Sequence, residues 1–255
     1  MPISKKKLLF VANWKMNPET LEDAKGLYKG LQKAAKKHAK ADVVIAPPTV
    51  FAATLVKKGG LSVAVQDVAA TDNGPLMGES SAREARSIGA GYAIIGHTAR
   101  RALGDTDIVV SEKVRRALDA GLSVILCVGE SERDEAARYL ATVRDQIFAV
   151  YSKLDRRSAG RIVVAYEPVW QVGKSFNLKI APRDIHEMAI FIKKTIREAI
   201  GKDVGMKTRV LYGGSTHPDN VGDILRDGGI DGLLIGRSSL EPEAFGKILD
   251  YGTRA

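Results

Sequence analysis

The stretch LLFVANWKMN, residues 8–17, decides the fold. Its first part, Leu8–Asn13, is apolar on both faces, as a strand is when helices cover one side of a parallel sheet and further side chains fill the other. In a doubly wound open sheet such a first strand runs into a G-x-G-x-x-G turn that cradles a dinucleotide. Here the strand runs into NWKMN, which has no glycine. That choice of turn separates the two architectures that a long series of parallel strands allows.

Working outward, seven more short runs rich in Val, Ile and Leu recur along the chain: Asp42–Ala46, Leu61–Gln66, Tyr92–Gly96, Ser123–Val128, Ile162–Tyr166, Thr208–Tyr212 and Gly232–Ile235. Amphipathic stretches lie between them. The clearest are Thr20–His38, with Glu22 and Asp23 in its first turn, Ile108–Ala120, the long Ser131–Leu154, and Pro182–Ile200, which opens on proline and stops before Gly201. Eight strand–helix units without a Pro/Gly/Ser linker or a break in composition predict a single closed (β/α)8 barrel spanning residues 1–255, with the doubly wound sheet as runner-up.

The chain of 255 residues, 45% hydrophobic, can bury a large core. The lysines at its start precede an apolar run of only about six residues, too short for the h-region of a secretory leader. Nor does any stretch approach the roughly 18 apolar residues of a membrane span, so a cytoplasmic location and no membrane partner are expected. The single cysteine, Cys127, excludes an internal disulfide and leaves too few thiolates for a zinc site; it reads as a small core residue. A net charge of +9 suits nucleic acid, an anionic membrane or an anionic small substrate. Its distribution separates these. Basic pairs such as Lys36-Lys37, Lys57-Lys58 and Arg156-Arg157 are scattered among acids, with no basic stripe interleaved with aromatics, so nucleic acid is not an expected partner.

In a barrel of this type the chemistry gathers where strands end, at the C-terminal face. Those positions carry Asn13 and Lys15 after the first strand, His97 after the fourth, Glu167 after the sixth, Gly213-Gly214-Ser215 after the seventh and Gly236-Arg237-Ser238 after the eighth. The last two turns sit where this fold holds phosphate on backbone amides. Glu167 stands out within VVAYEPVWQVGKSF, residues 163–176, because a charge follows a buried strand directly and precedes Pro168. Loss of hydration there makes a carboxylate a better proton acceptor. A carboxylate, an imidazole and a lysine beside a phosphate seat suit proton abstraction next to a carbonyl, with the lysine and imidazole stabilising the enediolate oxygen.

The motifs VANWKMN (11–17), IGHTARR (95–101), CVGE (127–130), AYEPVW (165–170), YGGS (212–215) and DGLLIG (231–236), in this order at successive strand ends, resemble the triosephosphate isomerase family over essentially the whole chain. The resemblance implies interconversion of dihydroxyacetone phosphate and glyceraldehyde 3-phosphate through an enediol(ate), in central carbon metabolism, without cofactor or metal. It implies Glu167 as the base, His97 as a neutral electrophile, Lys15 with Asn13 as an electrostatic clamp, and Gly173, Ser215 and Gly236 as donors to phosphate. Three histidines, His38, His186 and His217, are read as surface residues without a catalytic part.

Four departures from the family pattern stand in this chain. Thr98-Ala99 replaces the usual Ser-Glu after the histidine, which removes a carboxylate that would orient Lys15. The lid segment VGKSFNLKIAP is longer and poorer in glycine. Arg237 replaces a second glycine at the phosphate turn, where it adds charge or obstructs. Met77 and Asp67 replace a threonine and an asparagine in the loop DVAATDNGPLMGES, through which a homodimer is expected. Two other functions therefore stay open: a related tetrulose-phosphate aldose–ketose isomerase, and a weakly active barrel that binds phosphometabolites.

Overall fold

The structure, a computed structural model, describes residues 7–57, 60–134, 136–171 and 180–254. Eight parallel strands close into one barrel in sequence order: β1 (Leu8–Asn13), β2 (Ala41–Ala46), β3 (Ser62–Val65), β4 (Tyr92–Ile95), β5 (Ser123–Val128), β6 (Ile162–Tyr166), β7 (Val210–Tyr212) and β8 (Gly232–Ile235). Closure comes from β1 pairing with β8, Leu9 opposite Gly232 through Ala12 opposite Ile235. The helices between and after them are α1 (Leu21–Lys36), α2 (Thr49–Leu55), α3 (Ala82–Ser87), α4 (Thr98–Arg101), α5 (Asp107–Asp119), α6 (Tyr139–Tyr151), α7 (Arg156–Ala159), α8 (Pro182–Ile200), α9 (Lys202–Lys207), α10 (Pro218–Asp227) and α11 (Pro242–Arg254).

Side chains alternate across each strand, so the apolar runs feed two separate cores. Leu9 and Val11 point into the barrel with Val44, Ile94, Ile125, Cys127, Ala165, Leu211 and Leu234. Phe10 and Ala12, one residue out of phase, join the layer between strands and helices, where Leu31, Val114, Ile147, Ile192 and Phe245 are fully buried. This alternation explains why the strands show no polar face in the sequence.

The ring of helices follows local signals. Pro182 pre-sets the first turn of α8, and Gly201 ends it in a left-handed conformation, φ 114°, that a side chain would strain. Between those ends Ile185, Met188, Ala189, Ile192 and Ile196 repeat at helical spacing and are buried. Ile192→Ala would cost about 2–5 kcal/mol of stability. Ser81 and Glu84 form a capping box that starts α3, and Thr20 and Thr106 cap α1 and α5 by accepting from Asp23 and Val109 amides.

The predicted helix over Ser131–Leu154 begins only at Tyr139. Arg133 is drawn instead onto Glu130 and the Tyr166 hydroxyl, and Asp134 accepts from the Arg138 amide, so tertiary contacts claim a segment whose pattern is helical. The seventh strand starts at Val210, not Thr208, because the Thr208 hydroxyl donates to the Val204 carbonyl and closes α9.

Candidate active site

The inward-facing series on β1 is Leu9, Val11 and then Asn13; on β6 it is Val163, Ala165 and then Glu167. Period-two alternation thus delivers both polar side chains to the mouth of the barrel, one step above its apolar filling. Glu167 is only 3% exposed, Asn13 5% and His97 8%. They open onto one cavity of about 680 Å³, lined also by Lys15, Thr98, Gly213, Gly214, Ser215, Gly236 and Arg237. Seven of the eight predicted site residues therefore share this space. The eighth, Gly173, lies outside the described residues, as does most of the lid segment.

Backbone bonds between strand ends fix the carboxylate. The Glu167 amide donates to Val128 O at 2.8 Å, and Gly213 N donates to Tyr166 O at 2.8 Å, tying β6 to its neighbours on either side. Glycine is required next to it twice. A side chain at Gly129 would overlap the Glu167 carbonyl, and a Cβ on Gly213 would stand 3.0 Å from Glu167 Cγ.

The carboxylate oxygens have distinct surroundings. The Thr98 amide donates to Oε2 at 3.0 Å, and His97 Nε2 lies 3.3 Å from Oε1. His97 Nδ1 accepts from the Ala99 amide at 3.1 Å as the ring caps α4. With Nδ1 engaged by that amide, Nε2 is the ring edge that faces Glu167. Cys127, on the inward face of β5, is fully buried; burial first, and Glu167 beside it second, push its thiol well up, so it stays protonated.

Lys15 is held through its backbone. Its φ of 53° is left-handed, a conformation uncommon outside glycine. Asn13 Oδ1 accepts from the Lys15 amide at 3.1 Å, while Gln66 Nε2 donates to Lys15 O at 2.7 Å and to Ala46 O at 2.9 Å. The Lys15 side chain passes Gly236, with Cε 3.7 Å from where a Cβ there would stand. Among the described residues no carboxylate pairs with it.

Sequence reasoning missed several residues. Glu130, at 1% exposure, gathers three donors on Oε1: the Tyr166 hydroxyl at 2.8 Å, Trp170 Nε1 at 2.9 Å and Arg133 Nε at 3.0 Å. It anchors the segment just after Glu167, and the Val169 amide donates to its carbonyl at 3.0 Å. Burial and the Glu130 charge push the Tyr166 hydroxyl up, so it remains a donor. Only CVGE hinted at this. Gln66 gave no signal beyond ending a strand. His217, read as a surface residue, is exposed as expected and also borders the cavity, whereas the His38 side chain is only 10% exposed against Asp250.

Among the described residues no group of His, Cys, Asp and Glu is placed to hold a metal ion, and no helix is long and apolar enough to cross a membrane. A model of the triosephosphate isomerase family matches residues 8–252. Similar curated proteins named triosephosphate isomerase include one from Coprinopsis cinerea, 38% identical over 91% of this chain and 92% of its own. Another, from Moorella thermoacetica, is 37% identical over 95% and 98%, and one from Caldanaerobacter subterraneus subsp. tengcongensis is 36% identical over 95% and 98%. With motifs, barrel and near full-length similarity in agreement, the chain belongs to the triosephosphate isomerase family.

Proposed function

We propose that this protein interconverts dihydroxyacetone phosphate and glyceraldehyde 3-phosphate through an enediol(ate). One observation carries the reading: a buried carboxylate, Glu167, lies 3.3 Å from the His97 ring in a cavity shared with Lys15, which pairs with no carboxylate among the described residues. Glu167 takes the proton from the carbon beside the carbonyl and returns it to the neighbouring carbon. Both oxygens of the intermediate need donors as charge develops. His97 Nε2–H supplies one and the Lys15 ammonium another, with Asn13 holding Lys15 in place. Because the imidazole is neutral, it donates without a full charge of its own to compete with Lys15. The phosphate occupies the other end of the cavity, against Ser215, Gly236 and Arg237, with Gly173 contributing from the lid.

The charge of the chain fits this substrate, since a net +9 attracts a phosphate dianion over a distance. A phosphorylated sugar does not cross a bilayer unaided, so we place the activity in the cytoplasm. The working form is a homodimer joined through the loop around Met77. In support, Met77 is 97% exposed in the single chain, and Met16, Val50 and Leu76 also leave large apolar side chains uncovered.

The test is a coupled assay on dihydroxyacetone phosphate with Glu167→Asp beside the wild type. The variant retracts the base and leaves the phosphate contacts in place, so kcat falls by orders of magnitude while KM changes little. Loss through KM alone contradicts the base assignment. Saturable turnover of erythrulose phosphate without turnover of the triose overturns the substrate, and tight binding without turnover of either selects the binding barrel.

A further inference from the structure

We infer that Asp67 is a positioning residue for the isomerisation: through the neighbouring Gln66 it holds Lys15 in its left-handed conformation, with the cations Arg100 and Lys113 as its anchor. The inference rests on the proposed isomerase reading and extends it to a side chain outside the lining of the cavity.

Lys15 needs such support. Its φ of 53° is a strained value for a residue with a side chain, and strain of this kind persists only where the surroundings over-determine it. Lys15 is itself exposed, so packing does not hold it. Its peptide groups are held by side chains instead. Asn13 Oδ1 accepts from its amide, and its carbonyl accepts from Gln66 Nε2, which also donates to Ala46 O at the end of β2. The aim of Gln66 depends in turn on what fixes the chain just beyond β3.

A cluster of four charges, Asp67, Arg100, Asp105 and Lys113, fixes it. Asp67 Oδ2 accepts from Lys113 Nζ at 2.6 Å, and Arg100 Nε stands 2.7 Å from the same oxygen as an ion pair, without the alignment of a hydrogen bond. Lys113 Nζ also donates to Asp105 Oδ2 at 2.7 Å. Lys113 is 3% exposed on α5, and Arg100 belongs to α4, whose Thr98 and Ala99 amides meet Glu167 and His97. Asp67 therefore ties the segment that aims Gln66 to the helical turn that meets the base. Burial is the largest influence on its carboxyl and raises it, while the hydrogen bond and charge of Lys113 oppose that rise. Its other oxygen, Oδ1, is buried without a hydrogen-bond partner among the described residues, so the carboxylate depends on the two cations. An asparagine, the family's usual residue here, would leave Arg100 and Lys113 facing Asp105 alone. The aspartate balances them and clamps the segment with charge.

The test compares wild type with Asp67→Ala, Asp67→Ser, Asp67→Asn, Gln66→Ala and the double variant Gln66→Ala/Asp67→Ala, each checked by circular dichroism and size exclusion. Serine is too short to reach Lys113 and serves where the alanine variant does not fold. With dihydroxyacetone phosphate, Asp67→Ala and Gln66→Ala should each lower kcat about 10-fold, the effect of a shift of about half an ångström in Lys15, with KM changed far less. The double variant should lose no more than Gln66→Ala, because both residues act through one contact. Asp67→Asn keeps an oxygen for Lys113 and should recover most of the loss. Hydrogen exchange at the Lys15 amide, followed by NMR, should quicken about 10-fold or more in Asp67→Ala and Gln66→Ala while the amides of β1 stay protected. A kcat within about twofold of wild type in the folded Asp67→Ala and Asp67→Ser variants, a loss through KM alone, or losses that multiply to about 100-fold in the double variant overturn the assignment and leave the isomerase reading intact. If the wild type does not turn over the triose, the isomerase reading fails, and the exchange measurement still decides on Asp67: faster exchange at Lys15 supports its hold on that residue, and unchanged exchange refutes it.

Discussion

Gly213→Ala isolates the placement of the proposed base, Glu167, from its chemistry. The added methyl would stand 3.0 Å from Glu167 Cγ, 3.3 Å from Tyr166 O and 3.6 Å from Glu167 Oε1. Carbon atoms rest about 3.5–4.0 Å apart, so the contact with Cγ is short by about 0.5–1 Å. Tyr166 O cannot yield easily, because it accepts the Gly213 amide at 2.8 Å within the closed barrel. Most of the displacement therefore falls on the Glu167 side chain, which swings relative to His97 and the Thr98 amide. A shift of about 1 Å in a reacting group costs about 100-fold, and half of that shift should lower kcat about 10-fold. KM should move less than kcat, since of the proposed phosphate contacts only Ser215 shares this turn. Overpacking at this site should also cost about 1–3 kcal/mol of stability. The assay is steady-state turnover of dihydroxyacetone phosphate with a melting curve on the same preparation. A variant that keeps kcat within twofold, whatever its Tm, refutes the argument that this glycine spaces the base.

Three further outcomes follow from the same geometry. Lys15 pairs with no carboxylate among the described residues, and Ala99→Glu should supply one and raise kcat/KM about 2- to 5-fold, on the scale of a partly exposed ion pair; an unchanged value in the coupled assay rejects the idea that the missing glutamate limits turnover. Met77→Lys places a charge at the centre of the proposed dimer contact and should yield monomers on size exclusion, whereas a dimer of normal strength moves the interface elsewhere. Cys127 is buried with its thiol pushed up, so the native state holds its proton more tightly than the unfolded chain does. Its contribution to stability is complete below the unfolded thiol's ordinary value of about 8.5 and is lost as pH rises above that. Native protein at pH 8 should then resist iodoacetamide and react only on unfolding, as mass spectrometry would show; rapid labelling of the folded protein would contradict the burial.

How much was legible along the chain depended on the range of the interactions involved. Strands apolar on both faces, Pro182 and Gly201 bounding α8, and Thr20 opening α1 are local patterns, and each predicted its element to within a few residues. The strand-end rule found Asn13, Lys15, His97, Glu167, Ser215, Gly236 and Arg237, because a barrel sends every strand end to the same face whatever lies between them. Segment 131–138 misled because its helical pattern is real but weaker than the pull of Glu130 and Tyr166 on Arg133.

The amino-acid order by itself determined the barrel, since alternation and turn chemistry act over a few residues and eight parallel units leave one closed solution. Tertiary structure alone decided the state and aim of the groups in it. The Ala99 amide holds His97 at Nδ1, Lys15 is bent by Gln66 from 51 positions away, and Glu130 collects donors from 3 to 40 positions distant. Such contacts depend on direction and on the absence of water, which arise when strands from distant parts of the chain close around a shared interior.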